Sequence, residues 1–258
     1  MSLYSFYSVA LIVALIIIIT MVLLMLQKIK KIHLATYQLL DDTAHTRSET
    51  SALFSQIQAL FALERKLALT DALPLMRGWA GSPDFLLQVA NEVIDNKPRI
   101  VMECSSGVST LVIARCLQLN GMGHVYSLEH ESDYAEKTRH LLRKHGLTEW
   151  ASVLNAPLQT MHTETPWYAE TSIPPDLPPI DMLVVDGPPT SVAKLARFPA
   201  VPRLMPRMSK RAVVMVDDAD RDDEREMVRR WKELYPQLKD TYLPCEKGLL
   251  VLHTTTHA

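Results

Sequence analysis

The stretch RIVMECSSGVSTLVIAR, residues 99–115, decides the fold that the sequence predicts. Its apolar residues 100–102 form the kind of run found in a parallel strand that is covered on both faces. Small polar residues follow, and from Val108 onward the apolar spacing is helical. A strand that leads through such a turn into a helix places unpaired N–H groups beside the strand tip. In open α/β sheets, nucleotide-like ligands bind in that crevice.

The turn itself supplies candidate ligand contacts. Glu103 stands at the end of the strand, and the next residues are small enough for a ligand to approach the backbone closely: Ser105, Ser106, Gly107 and Ser109. No GxxxxGK[ST] pattern occurs here, which argues against a phosphate-binding P-loop. No GxGxxG pattern occurs either, which weakens the case for a dinucleotide site without excluding it.

Composition limits the class of protein and its partners. The chain has 258 residues, enough for one α/β domain with an appendage. Its formal net charge of −2 gives no sign of a nucleic-acid-binding surface. Its three cysteines form no CxxC pair, which indicates a reducing compartment and favours neither a disulfide framework nor a zinc site.

The N-terminal segment predicts a membrane anchor. Residues 3–26 contain no charged side chain and are long enough, as a helix, to cross a hydrocarbon core of about 30 Å. Lys28, Lys30 and Lys31 follow directly, whereas no Lys or Arg precedes the segment. The positive-inside rule then predicts a single-pass protein of the plasma membrane with its large domain in the cytoplasm. The alternative is a cleaved signal peptide, but the basic residues expected before its apolar run are missing.

The rest of the chain is predicted to form a linker and one domain. Residues 27–72 are expected to be a juxtamembrane helical linker, because apolar residues between 53 and 67 recur at steps of three and four. This helix either packs on the domain or forms a short dimerising stalk, and the oligomeric state stays open. Residues 73–258 are expected to form the α/β domain, whose first helix starts at Ser82-Pro83-Asp84.

Acidic residues end several predicted strands. The segment 124–129 ends in an acid 22 residues after Gly107, where a carboxylate commonly accepts hydrogen bonds from ribose hydroxyls. Parallel strands bring their carboxyl ends to one edge of a sheet. We therefore expect one crevice to gather the acids that end strands: Glu103, Glu129, Asp186, and the pair Asp217-Asp218.

The order and spacing of these segments resemble those of class I S-adenosylmethionine-dependent methyltransferases, over residues 75–253. The family's first motif, [DE]-x-G-x-G-x-G, is matched by ECSSGVS, with serines in place of the outer glycines. The segments SPDF, VYSLEHE, DGPP and VVMVDDADR look closest to a bacterial subgroup of unassigned substrate. The resemblance implies a Rossmann-like, doubly wound α/β sheet of seven mostly parallel strands with an antiparallel edge hairpin. It also implies that S-adenosylmethionine is held by Glu103, Ser105, Gly107, Ser109, Glu129, His130, Asn155, Ala156 and Asp186.

Two interpretations stay open for the acids of the last strand ends. Asp186, Asp217 and Asp218 resemble the acidic triad of catechol-type O-methyltransferases, which holds a magnesium ion and commonly has Asn at its third position. A hard divalent cation prefers carboxylate oxygens and lowers the pKa of a bound hydroxyl. In the second interpretation, Asp186 lies beside the cofactor and Asp217 or Asp218 is a base or a structural acid. His130 is a further candidate base.

These observations lead to one hypothesis with two rivals. The first is a membrane-anchored methyltransferase that O-methylates a small or glycan-linked acceptor at the cytoplasmic membrane face. The rivals are a nicotinamide-dependent oxidoreductase on a similar sheet and a membrane-tethered binding domain without catalysis. A long irregular loop is expected over 161–179, where Trp167 and Tyr168 either shape a substrate pocket or only pack beneath the loop. The sequence does not identify the acceptor.

Overall fold

A computed structural model of the chain describes residues 3–76, 80–160 and 165–254. By internal contacts the chain divides into a unit Met1–Phe54 and a compact unit Ser55–Ala258. The first helix, α1 (Leu3–Leu67), is 65 residues long. The other helices are α2 (Pro83–Asn96), α3 (Val108–Asn120), α4 (Ser132–Lys144), α5 (Ala200–Leu204) and α6 (Asp222–Leu234). The strands are β1 (Ile100–Cys104), β2 (His124–Glu129), β3 (Ala151–Asn155), β4 (Leu158–Gln159), β5 (Trp167–Tyr168), β6 (Ile180–Val185), β7 (Met208–Asp217), β8 (Leu238–Leu243) and β9 (Leu249–Thr254).

Seven of these strands form one mixed sheet. Its order is β3-β2-β1-β6-β7-β9-β8, in which the first five strands are parallel and the last two pair antiparallel. The helices α3 and α4 connect β1 to β2 and β2 to β3, and α5 lies between β6 and β7, whereas the connection from β3 to β6 contains β4, β5 and a 3₁₀ turn. The predicted fold class, a Rossmann-like doubly wound sheet with an antiparallel edge hairpin, is therefore confirmed.

The central strands of the sheet are buried on both faces because they have apolar side chains on both. Within β1, Val101 belongs to one core, with the apolar sides of α2 and α3. Its neighbours Ile100 and Met102 belong to a second core, with side chains from α5 and α6. Side chains alternate between the faces of a strand, so a continuous apolar run predicts a strand covered on both sides.

The end of α1 packs within the compact unit. Leu63 and Leu67 are fully buried in the core that contains α2 and α3. Arg115 of α3 donates hydrogen bonds from Nε to the carbonyl of Leu67 at 2.7 Å and from Nη2 to that of Ala68 at 3.0 Å. These bonds satisfy carbonyl groups that every helix leaves without partners at its C-terminus. The sequence left open whether this helix packs on the domain or forms a dimerising stalk, and its last turns pack on the domain.

The polar stretch 41–50 continues α1 without a break. Neither Gly nor Pro occurs between residues 3 and 67, and both residues are the usual helix breakers. Threonine hydroxyls along the helix bond the carbonyl four residues earlier, as Thr36 does to Ile32 at 2.9 Å. Residues Leu11–Leu40 are long and apolar enough to cross a membrane by length and composition.

The segment 161–179 contains more structure than the sequence indicates. β5 pairs antiparallel with β4 in a two-stranded ribbon, and a 3₁₀ turn covers Glu170–Ser172. Trp167 and Tyr168 are both buried against the second core. Residues 161–164 of the expected loop lie outside the described residues.

Candidate active site

The carboxyl ends of β1, β2, β6 and β7 meet at one edge of the sheet because these strands are parallel neighbours. Glu129 ends β2, Asp186 follows β6 directly, and Asp217 ends β7. Asp218 comes next in a left-handed conformation, with φ +60°. Asp and Asn tolerate this conformation better than most residues. The structure thus brings the predicted strand-end acids to the expected edge.

The turn after β1 is open towards this edge. Ser105 has φ +105° and Gly107 has φ +152°, both outside the usual range of non-glycine residues. A β-carbon added at Gly107 would meet nothing within 4 Å, so the turn faces open space there. α3 begins at Val108, and its first N–H groups therefore lie beside the open turn. This geometry allows a ligand to approach the backbone.

Glu103 lies beneath the turn. It is fully buried, and its Oε2 accepts hydrogen bonds from Thr110 Oγ1 at 2.6 Å and Ser127 Oγ at 2.5 Å. Burial raises the pKa of this carboxyl, although the hydroxyl donors oppose the shift. Glu103 lines neither of the cavities described below. Its hydrogen bonds join the turn to α3 and β2 from below.

Glu129 faces a cavity of about 220 Å³ at the sheet edge. Its Oε2 accepts a hydrogen bond from Ser106 Oγ at 2.9 Å, and its Oε1 accepts one from the Glu131 N–H at 3.0 Å. His130 Nδ1 lies 3.2 Å from the same Oε1. The carboxylate is 5% exposed, so these contacts fix its orientation while it borders the cavity.

Tyr168 forms another wall of this cavity. Its side chain is 2% exposed, and its hydroxyl has no hydrogen-bond partner among the described residues. A β-carbon at Gly187 would lie 2.7 Å from this hydroxyl, so the glycine lets Tyr168 approach the tip of β6. Tyr168 therefore lines this cavity and also packs in the second core, and its role in a substrate pocket stays a prediction. Trp167 lines a different cavity, beside Arg203.

A larger cavity of about 900 Å³ borders the other side of the turn. Ser105, Gly107 and Ser109 line it, together with the side of α4 that carries Tyr134 and Lys137. Ser105 and Asp186 line both cavities, which therefore meet at the turn after β1. Of the other predicted cofactor contacts, Asn155 and Ala156 line neither cavity. Arg139 Nη2 donates to Asn155 Oδ1 at 2.8 Å, and Ala156 is buried.

An acidic cluster forms where β6 and β7 end. Asp186, Asp217 and Asp218 each have an oxygen within 4.8 Å of those of the other two. Burial and the charge of Asp217 raise the pKa of Asp186 well above its ordinary value, which Arg197 partly opposes. Burial, together with the charge of Asp218, raises the pKa of Asp217 to about 6. Asp186 and Asp218 line the smaller cavity, and Asp217 does not.

Arg197 lies inside this cluster, a contact that the sequence did not predict. Its Nη2 lies 3.4 Å from Asp186 Oδ1 and 2.9 Å from Asp218 Oδ2. Arg221 Nη1 lies 2.8 Å from the same oxygen of Asp218. Neither carboxylate oxygen of Asp217 has a hydrogen-bond partner among the described residues.

These contacts test whether the cluster fits the magnesium ion of the catechol-type enzymes. Magnesium binds carboxylate oxygens at about 2.0–2.1 Å. An ion on the two oxygens that Arg197 contacts would lie within about 5 Å of Nη2. Repulsion between a divalent ion and a guanidinium at that distance is on the order of 7 kcal/mol at an effective dielectric constant of about 20. This repulsion opposes an ion that bridges Asp186 Oδ1 and Asp218 Oδ2, whereas both oxygens of Asp217 and Oδ1 of Asp218 have no partner among the described residues.

Comparison with known proteins gives the same fold. Residues 104–219 match a family model described as a methyltransferase domain. The match extends from the end of β1 past Asp218 and so contains most of the site. The fold is that of a class I methyltransferase. The search of curated proteins found no match.

Solved structures of O-methyltransferases share this fold. The O-methyltransferase from Bacillus cereus in complex with SAH is 18% identical, with a TM-score of 0.53, and the alignment covers 80% of this chain and 91% of that one. TomG from Streptomyces achromogenes, an O-methyltransferase of tomaymycin synthesis in complex with SAM, is 20% identical, with a TM-score of 0.52 and coverage of 80% and 90%. The SAH-bound methyltransferase PaMTH1 from Podospora anserina is 15% identical, with a TM-score of 0.55 and coverage of 77% and 88%. The class I methyltransferase fold that the resemblance implied is thus confirmed.

Proposed function

We propose that the protein is an S-adenosylmethionine-dependent methyltransferase, anchored in the plasma membrane, that O-methylates a small or glycan-linked acceptor at the cytoplasmic face. One observation carries the proposal. The Glu129 carboxylate borders a cavity beside an open small-residue turn and the start of α3. The methyltransferase-domain match and the SAM- or SAH-bound neighbours support the choice of cofactor.

The residues around the cavity suit this cofactor. Glu129 offers carboxylate oxygens to the two hydroxyls of a ribose, and Ser106 keeps it in place. The open turn from Ser105 to Gly107 leaves room for the amino-acid part of the ligand. Asp186 lies at the junction of the two cavities, where a cationic ligand would favour the ionised form of its carboxyl and so oppose its raised pKa.

Bound S-adenosylmethionine supplies a methyl group that is already activated by the sulfonium, so the protein mainly aligns the acceptor with it. An oxygen acceptor must also lose its proton. Asp218 lines the cavity, and its Oδ1 has no partner among the described residues, so this oxygen is our candidate proton acceptor. Asp217 lies outside the cavity lining, which leaves it a supporting role.

Calorimetric titration of the full-length chain with S-adenosylmethionine, in detergent micelles, tests the cofactor assignment. Glu129→Gln removes the charge but keeps the shape, and hydrogen bonds to a charged group are worth about 1.5–3 kcal/mol. We therefore expect Glu129→Gln to bind the cofactor roughly 10- to 100-fold more weakly. The matched control is Glu149→Gln, an exposed position that lines neither cavity. Absence of binding by the folded wild-type protein would leave a partner-binding domain as the better account.

The membrane part of the proposal is supported by the apolar span Leu11–Leu40 and by the lysines at 28, 30 and 31. In a bacterial expression host, we expect the protein to stay with the membranes after alkaline carbonate washing. Deletion of residues 3–26 should release it into the soluble fraction. Protease added outside spheroplasts should leave the C-terminal domain intact. Digestion of that domain would contradict the cytoplasmic orientation.

A further inference from the structure

Arg197 is the feature of the acidic cluster that the family resemblance does not explain. It lies between β6 and α5, and its side chain is 5% exposed. Nε donates to the carbonyl of Pro188 at 3.4 Å, and Nη1 donates to the carbonyl of Asp217 at 3.2 Å. Nη1 also lies 3.5 Å from Glu224 Oε1 of α6. All three guanidinium nitrogens therefore contact the strand tips or α6.

The segment that carries Arg197 is itself held on α6. The Leu195 N–H donates to Asp223 Oδ2 at 3.1 Å, and Trp231 Nε1 donates to the carbonyl of Phe198 at 2.7 Å. These bonds lie on both sides of Arg197 in the chain. The guanidinium is thus held in position by its neighbours as well as by its own contacts.

The position of the guanidinium matches the charge that the cluster needs. Buried carboxylates require a cation, a proton or hydrogen-bond donors. Nη2 bridges Asp186 and Asp218, which are two of the three acids of the cluster. Arginine keeps its charge when buried and offers several donors in a fixed plane. Arg197 therefore supplies positive charge to two of the three acids, together with Arg221 at Asp218.

We infer that Arg197 holds the place of the divalent cation at the Asp186–Asp217–Asp218 cluster, so that the site works as an arginine–carboxylate centre without a metal. Arg197 is a positioning residue here: it fixes Asp186 and Asp218 at the cavity wall. The inference deepens the proposed function and rests on it for the reaction. Metal binding, however, is measured without cofactor or acceptor, so the inference about Arg197 and the proposed function can fail separately.

Manganese, a paramagnetic substitute for magnesium, tests this inference through electron paramagnetic resonance of the full-length chain. We expect no stoichiometric Mn²⁺ binding by the wild type and none by Arg211→Ala, the exposed control. Arg197→Ala frees Asp186 Oδ1 and leaves Asp218 Oδ2 with Arg221 alone, so this variant should bind Mn²⁺ at least tenfold more tightly. In the same variant, Mn²⁺ should raise the Tm, whereas it should leave the wild-type Tm unchanged.

Two results would overturn the inference. The first is Mn²⁺ binding by the wild type that disappears in Asp186→Asn, because the cluster would then hold a metal beside the arginine. The second is a folded Arg197→Ala protein that still binds no Mn²⁺, because Arg197 would then not be what excludes the ion. If Arg197→Ala fails to fold, the wild-type and Asp186→Asn titrations decide the question alone. Loss of methyl transfer in EDTA, restored by Mg²⁺, would also count against the inference.

Discussion

Replacing Thr110 by valine should destabilise the turn after β1. Thr110 Oγ1 accepts a hydrogen bond from the Gly107 N–H at 3.0 Å and donates one to Glu103 Oε2 at 2.6 Å. Valine keeps the shape of the side chain but has no oxygen, so the buried Glu103 carboxyl and the half-buried Gly107 N–H each lose a bond. A bond to a charged group is worth about 1.5–3 kcal/mol and a neutral one about 1 kcal/mol. We expect Thr110→Val to lower the free energy of unfolding by about 3 kcal/mol.

The measurement is thermal unfolding of the full-length chain in detergent, followed by tryptophan fluorescence. For a domain of roughly 150–250 residues, a loss of about 3 kcal/mol lowers the Tm by roughly 6–12 °C. Thr241→Val is the matched control, because Thr241 is exposed on β8 and should shift the Tm by no more than about 2 °C. A Thr110→Val protein as stable as this control would refute the argument that the hydroxyl joins the turn to Glu103.

Three further substitutions test the backbone and the buried charges. Ser105→Gly should raise the unfolding free energy by about 1 kcal/mol, since φ +105° strains any side chain; a lower Tm would count against this strain. Gly123→Ala should lower the free energy of unfolding by about 3 kcal/mol or more, because its β-carbon would lie 2.4 Å from the carbonyl oxygen of Pro98. In the control Gly146→Ala the β-carbon meets nothing within 4 Å, and the loss should be about 1 kcal/mol. Equal losses in the two variants would contradict the clash. The folded-state pKa of Asp217 is raised to about 6, so its protonated form stabilises the fold at low pH and that stability is lost as the pH rises through 6. The Tm of Asp217→Asn minus that of the wild type should therefore increase as the pH rises from 4.5 to 7.5. A constant difference across this range would show that the carboxyl does not titrate as described.

The strands of the sheet could be predicted because their sequence and their burial agree. The predicted strand 124–129 matches β2 at both ends, and the short run 151–155 of the sequence coincides with β3. An acid or Asn marks the end of each, since the chain leaves the apolar interior there. β7 starts at Met208, three residues before the segment 211–217, because the polar residues Ser209 and Lys210 separate Met208 from the apolar run that indicates a strand.

Other features depend on contacts that periodicity does not reveal. β4 and β5 are two residues long, too short for an alternating pattern. The polar stretch of α1 carries no clear apolar stripe, although its residues favour or tolerate a helix.

The residues of the candidate site also divide into those that the sequence reveals and those that depend on contacts between distant parts of the chain. Its acids could be found because each follows an apolar run along the chain. Arg197 could not, because it meets Asp218 across 21 residues and lies in a segment with no regular pattern. The sequence placed Ser106 in the small-residue turn, but its hydrogen bond to Glu129, 23 residues away, depends on how β1 and β2 pair. Side chains that join two strand tips become visible only after the sheet is assembled.

The buried end of α1 limits how the protein can be shortened. A soluble fragment that began at residue 73 would lack Leu63 and Leu67, and the apolar surfaces of α2 and α3 that they cover would face water. It would also lose Gln56, whose Nε2 donates to Asp84 Oδ2 at 2.8 Å near the start of α2. A fragment that begins before Ser55 keeps all three side chains. The cut that removes the apolar N-terminal part therefore belongs inside the long helix, between residues 41 and 54, and not at its end.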